Sequence, residues 1–214
     1  MADNATKTKP KPFTPVGQLS FPHLFVPRAA TPGAEERFSV TVLFDKEAQK
    51  SPEYKKMQQA VLEVAKAKWP GKDVVEMFKT GKLRSPFHDA SEKSEFNGYT
   101  EGKVFISAWS KQRPGVVDRK VNPVLAADVF PGVLGRISYN PFAYDTGGNR
   151  GVSLGLNNVQ IVSFDSERLD SRKSAEDEFD ELDAGEYGGD EDDAFGGENQ
   201  TSGSMMDEDD EIPF

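Results

Sequence analysis

Residues 103–110 read KVFISAWS. Val104, Ile106 and Ala108 alternate with Phe105, Ser107 and Trp109, the period of two that sends successive side chains to opposite faces of a strand. If the first set points into a barrel, the second points out. That outer face then carries two aromatic rings, with Lys103 before them and Lys111 and Arg113 after. Sequence-independent binding of single-stranded nucleic acid needs these two things: cations that track phosphates and rings on which bases stack. The same rings could instead pack beneath a long loop or in a dimer interface.

Other stretches carry the same period. Residues 18–26 (QLSFPHLFV) read as a first strand. In residues 36–44 (ERFSVTVLF), Phe38, Val40, Val42 and Phe44 share one face and Ser39 and Thr41 the other. Residues 51–69 predict a helix, with Ser51 as N-cap, Pro52 at the first helical position and Glu53 near the positive end of the dipole. Tyr54, Met57, Val61, Val64, Ala65 and Trp69 follow helical spacing, and Pro70-Gly71 ends the run. Residues 72–102 are polar and irregular, a long loop of the kind that carries function. Residues 133–144 and 151–164 predict two more strands joined by a hairpin at 145–150, with Gly155 and Asn157-Asn158 suggesting bends or a bulge.

Five main strands and one helix make the chain mainly β. They match the element count of the oligonucleotide/oligosaccharide-binding fold (OB-fold), a five-stranded Greek-key barrel, here with long loops. In that fold the helix usually lies between strands three and four. Here it falls after the second, unless one early strand is really two.

The net charge of −10 hides a segregation. Residues 1–173 hold all 26 Lys and Arg against 19 Asp and Glu, a net +7. Residues 174–214 hold 17 acids and no Lys or Arg. A basic body joined to an acidic tail suits a nucleic-acid binder with an interaction arm. The tail is Gly-interrupted and poor in apolar residues, so disorder is expected. The expected organisation is a flexible basic arm over 1–15, with Lys7, Lys9 and Lys11 for phosphate contacts, a binding domain over 16–173, and the tail. Absence of cysteine fits a reducing cytoplasm. Neither a membrane-length apolar stretch nor a signal peptide is visible.

Two further groups are candidates for DNA contact. Arg136, Tyr139, Phe142, Tyr144 and Arg150 surround the predicted hairpin, with at least one or two of the aromatics expected in the core. Lys79, Lys82, Arg84 and Phe87 form a basic, aromatic loop that could close over the 103–110 strand. Enzyme chemistry finds no support. The two histidines, His23 and His88, are distant in sequence, and no Ser lies in a nucleophile-elbow pattern. Gly81-Lys82 lacks the rest of a phosphate-binding loop. No metal site and no cofactor are expected.

The chain closes in Asp207-Glu208-Asp209-Asp210-Glu211-Ile212-Pro213-Phe214. This resembles the C-terminal tip of bacterial single-stranded-DNA-binding proteins, which docks onto partner proteins. The chemistry fits docking independently. Phe214 can plug a small pocket, Pro213 limits the freedom lost on binding, and the acids suit a basic rim. Asp209, Asp210, Glu211, Ile212, Pro213 and Phe214 are therefore the expected partner-binding residues.

The body resembles a family of bacteriophage single-stranded-DNA-binding proteins in KVFISAWSKQRPGVVD (103–118) and NPFAYDTGGNRGVSLGLNNVQIV (140–162). The resemblance implies an OB-fold and a role in DNA replication, recombination or repair in the cytoplasm of an infected bacterium. The partners would be single-stranded DNA and, through the tail, replication or repair proteins. The tail could also fold over the empty groove until DNA displaces it. The alternative is an acidic adaptor or DNA mimic that acts through its tail. Oligomeric state, monomer or dimer, stays open.

Overall fold

The alternation over Glu36–Phe44 and Val104–Ser110 builds two neighbouring antiparallel strands, and the rest of the barrel closes around them. The computed structural model of the protein describes residues 12–170. In chain order the elements are β1 (Gly17–Ala29), β2 (Glu36–Phe44), α1 (Pro52–Lys68), α2 (Val74–Lys79), β3 (His88–Asp89), β4 (Val104–Ser110), β5 (Gly115–Val117), β6 (Leu134–Thr146) and β7 (Asn149–Ser163).

Antiparallel pairing runs from β4 through β2, β1 and β6 to β7. A parallel pairing of β4 with β7, at Ala108 opposite Leu154 and Trp109 opposite Gly155, completes the ring. Five strands thus close on themselves in the OB-fold arrangement. Short β3 and β5 add edges to β4 and β7. The single main helix does lie between the second and third barrel strands. No early strand is split to restore the usual order.

Leu19, Val40, Val42, Phe44, Ile106, Ala108, Ile137 and Leu154 fill the barrel and are almost wholly buried. Each large apolar side chain contributes roughly 1.5–3 kcal/mol by leaving water. α1 packs on the barrel through Tyr54, Met57, Val61 and Ala65. Its start follows the sequence reading, with the Ser51 hydroxyl accepting from the Tyr54 N–H at 3.2 Å and Pro52 in the first turn.

Bulges set which residues face inward. In β1, Phe21 and Pro22 together face Val40, because Ser20 pairs with Thr41 and His23 with Ser39. That extra residue lets Leu19 and Leu24, five positions apart, both point into the core. In β7 the predicted irregularity is present. Ser138 faces Asn158 while Tyr139 faces Leu156, so Asn157 is extra. The β6–β7 turn places Gly147 and Gly148 at φ 57° and 83°, a conformation side-chain-bearing residues rarely adopt.

Two expectations need correction. Residues 12–15 do not belong to a flexible arm: Phe13 bridges Ser138, the Thr14 N–H donates to the Ile137 carbonyl at 3.0 Å, and Thr14 is buried. The 72–102 stretch is not wholly irregular, since it contains α2 and β3. Asp73 caps α2, accepting from the Glu76 N–H at 3.0 Å. Lys7, Lys9 and Lys11, residues 171–173 and the tail over 174–214 lie outside the described residues.

Candidate nucleic-acid interface

Strand registers place three rows on the outer face of β1, β2 and β4. His23, Ser39 and Trp109 form one row; Ser20, Thr41 and Ser107 the next; Gln18, Leu43 and Phe105 the third. Residues two apart on a strand stand about 7 Å apart, so the rows are separated by roughly that distance. The middle row is small and polar, with the Thr41 and Ser107 hydroxyls hydrogen-bonded at 3.0 Å.

Two cavities meet on this face and share Ser107 and Trp109. One, of about 570 Å³, is walled by the 81–88 segment and by Tyr144 and Ser153 of the β6–β7 hairpin. The other, of about 520 Å³, is walled by the end of β1, the start of β2 and their connection, including Arg28, Glu35 and Arg37. Together they form a groove across β4 whose floor is Ser107 and Trp109.

Trp109 is half-buried. The Arg37 guanidinium lies 4.0 Å from its ring centroid and Phe142 meets it edge-on at 5.6 Å. The Nε of Arg37 is buried and finds no acceptor among the described residues. Glu35 holds both nearby cations, with Lys111 Nζ at 2.6 Å and Arg37 at 3.2 Å. The hydrogen bond from Lys111 lowers the Glu35 carboxyl below its ordinary value. His23 is also lowered, first by burial and then by Arg28, so it stays neutral near pH 7.

The 81–88 segment is held to the hairpin by backbone. The Arg84 N–H donates to the Arg150 carbonyl at 2.9 Å and the Val152 N–H to the Arg84 carbonyl at 3.1 Å. Gly151 makes this approach feasible, because a Cβ there would stand 2.5 Å from the Arg84 oxygen. Arg84 and Phe87 of this segment line the groove beside β4. Lys82, between two of the lining residues, is exposed.

The predicted site residues separate into two sets. Arg84, Trp109, Phe142 and Tyr144 come together, and Lys111 joins them through Glu35. Arg150 contributes its backbone, and exposed Arg113 stands 5.5 Å over the Phe25 ring. Phe105 does point outward, but it is 4 % exposed, packed with Leu43, Ala90 and Tyr99 beneath the 88–103 loop. It cannot offer a free face to a base. Tyr139 is core: it shares the inward face of β6 with Ile137 and is 1 % exposed, and burial pushes its hydroxyl up to about 12. Lys103 is an anchor, its Nζ donating to Gln18 Oε1 at 3.1 Å and the Gly98 carbonyl at 3.0 Å. Arg136 lies away from the groove, donating to Gln160 at 2.9 Å over the Phe13 ring. Sequence reasoning missed Arg37, Arg28 and Glu35. Their signal was the outward parity of Arg37 with Ser39, which becomes useful only once Ser39 is known to face Trp109.

The sequence matches the family described as "Enterobacter phage Enc34, ssDNA-binding protein" over residues 13–195. The chain belongs to this family. Protein p50 of the Acyrthosiphon pisum secondary endosymbiont phage 1 is 27% identical over 170 residues, covering 77% of this chain and 90% of p50. Among solved structures, the fold is similar to that of the single-stranded DNA-binding protein from bacteriophage Enc34 in complex with ssDNA. That match has a TM-score of 0.61 at 19% identity, covering 74% of this chain and 88% of that one. The C-terminal truncation of the same Enc34 protein matches with a TM-score of 0.58 at 19% identity, covering 73% and 86%. The Enc34 family is thus the phage kind that the body resembled. The Ile-Pro-Phe tip lies outside both the matched span and the described residues.

Proposed function

We propose that the chain binds single-stranded DNA, without sequence preference, in the groove across β4. The observation that carries this reading is Trp109 on the groove floor with Arg37 against its ring. A base can stack against an aromatic of this kind, and Arg28, Arg37 and Arg84 line the path for phosphates. Glu35 holds Arg37 and Lys111 in place until phosphates compete for them. Family membership supports the reading, as does the similar Enc34 protein, whose structure was solved with ssDNA.

The acidic tail, 174–214, recruits replication or repair proteins through Asp209–Phe214 and competes with DNA for the basic body. The setting is replication, recombination or repair of phage DNA in the cytoplasm of an infected bacterium. This part rests on the charge segregation and the Ile-Pro-Phe tip.

The test is anisotropy of a labelled oligo-dT and of a duplex, titrated with the full chain at about 50 and about 200 mM salt. Preference for the single strand and a steep loss of affinity at the higher salt are expected. Failure to bind oligo-dT at low salt overturns the reading. For the tail, deletion of 174–214 raises affinity at low salt and abolishes partner recruitment; unchanged or weaker binding removes the competition.

A further inference from the structure

The β4 face has a second aromatic cluster below the groove, which the proposed DNA contacts do not use. It begins at His88, a groove-lining residue whose ring stacks on Phe105 at 5.1 Å and 19°. Phe105 meets Tyr99 at 5.5 Å, Tyr99 meets Phe21 at 6.4 Å, and Phe21 meets Phe96 edge-on at 5.1 Å. Phe105 and Tyr99 are buried, whereas Phe21 is 36% and Phe96 42% exposed. Lys93 Nζ stands 5.0 Å from the Phe105 centroid and 5.8 Å from that of Phe21. Lys93 makes no ion pair among the described residues.

The backbone is unfavourable for a merely structural Phe21. The β1 bulge holds it at φ 48°, in the left-handed region that bulky residues avoid. Strain of this kind is kept where the surrounding structure enforces it, and it gathers at binding sites. Here it leaves a large aromatic on the surface beside a second one and an unpaired ammonium. Rings next to an unpaired cation are the chemistry of single-strand recognition.

We infer that Phe21, Phe96 and Lys93 form a second stacking platform for bases of the same DNA strand, continuing its path from Trp109 past His88. This rests on the proposed DNA binding at the Trp109 groove. The occupant is single-stranded DNA because the cluster is continuous with that groove through His88 and pairs rings with a free cation. A strand entering at Trp109 passes over Ser107, whose small side chain leaves the way open, and reaches the platform further along. Phe105 lies beneath it as support. Lys93 takes a phosphate or lies against a base.

The test uses the full chain with oligo-dT of about 4 and about 12 nucleotides, spanning the site sizes of OB-folds. Trp109 fluorescence and anisotropy of the labelled oligonucleotide are read together. Phe21→Gly removes the ring while tolerating the left-handed backbone, and Phe96→Ala provides a second variant on a different element. Each variant should bind the longer oligonucleotide about tenfold more weakly and the shorter one as the native chain does. Unchanged affinity for the longer oligonucleotide overturns the platform. Equal loss at both lengths also overturns it, since a distortion reaching the Trp109 groove then explains the effect. If the native chain binds neither length, the DNA-binding reading itself fails.

Discussion

Trp109 and Phe105 stand on the same outward face of β4, two rows apart, yet their surroundings are opposite. Trp109 lies in an open groove with an arginine on its ring. Phe105 is roofed by the 88–103 loop and stacked on by His88. At that end the roof offers Phe96 to solvent in place of the strand's own ring. Strand periodicity decides which face a side chain takes. Whether that face stays open depends on a loop that arrives from elsewhere.

The largest expected effect breaks the covered end. Phe105→Ala should cost about 3 kcal/mol or more in unfolding free energy, because it empties a packed aromatic cluster. Denaturant unfolding measures this. A cost below about 1 kcal/mol would mean that Phe105 is not buried as described. Trp109→Ala should do the reverse, costing about 1–3 kcal/mol of oligo-dT affinity, with the greater part of the change in binding rather than stability.

A smaller effect probes the groove wall. Gly151→Ala places a Cβ against the Arg84 backbone and should push the 81–88 segment away from the hairpin. A loss of about 1–2 kcal/mol in stability, with weaker oligo-dT binding, is expected. Native affinity in this variant would show that the segment is not part of the site.

The smallest effect concerns His23, whose folded-state value lies below its ordinary 6.5. As pH falls through 6.5, the unfolded chain protonates first, so stability is lost toward acid; above 6.5 the contribution is fully present. A phosphate beside His23 favours the charged ring. Affinity for oligo-dT should therefore rise, by about threefold or less, between about pH 7.5 and 6. His23→Gln should flatten that part of the rise when titrated in parallel.

Much of the barrel was legible in the sequence, for physical reasons. β2 and β4 alternate cleanly because each has one face in the core. Ser51-Pro52 marked the start of α1, and the Gly-rich turn marked the β6–β7 hairpin. α2 was missed because six residues between polar loops are too short for a helical period to show. The site was only partly legible. Trp109, Phe142, Tyr144 and Arg84 were named as candidates from the sequence, but their coming together depends on pairings between distant segments. Tyr139 was misplaced because the parity of β6 cannot be fixed without its partner strand. Arg37 and Phe21 depend on the β1–β2 register and a bulge that no local pattern marks.

The central claim is that Trp109 forms the floor of a single-stranded-DNA groove. Its most direct test is tryptophan fluorescence of the full chain during titration with oligo-dT, repeated with Trp109→Phe. Trp69, the other tryptophan, is buried at the C-terminal end of α1 and serves as an internal reference. The native chain should show saturable quenching that weakens as salt is raised, and Trp109→Phe should show almost none. Binding by anisotropy without quenching in the native chain, or equal quenching in both proteins, would contradict the claim.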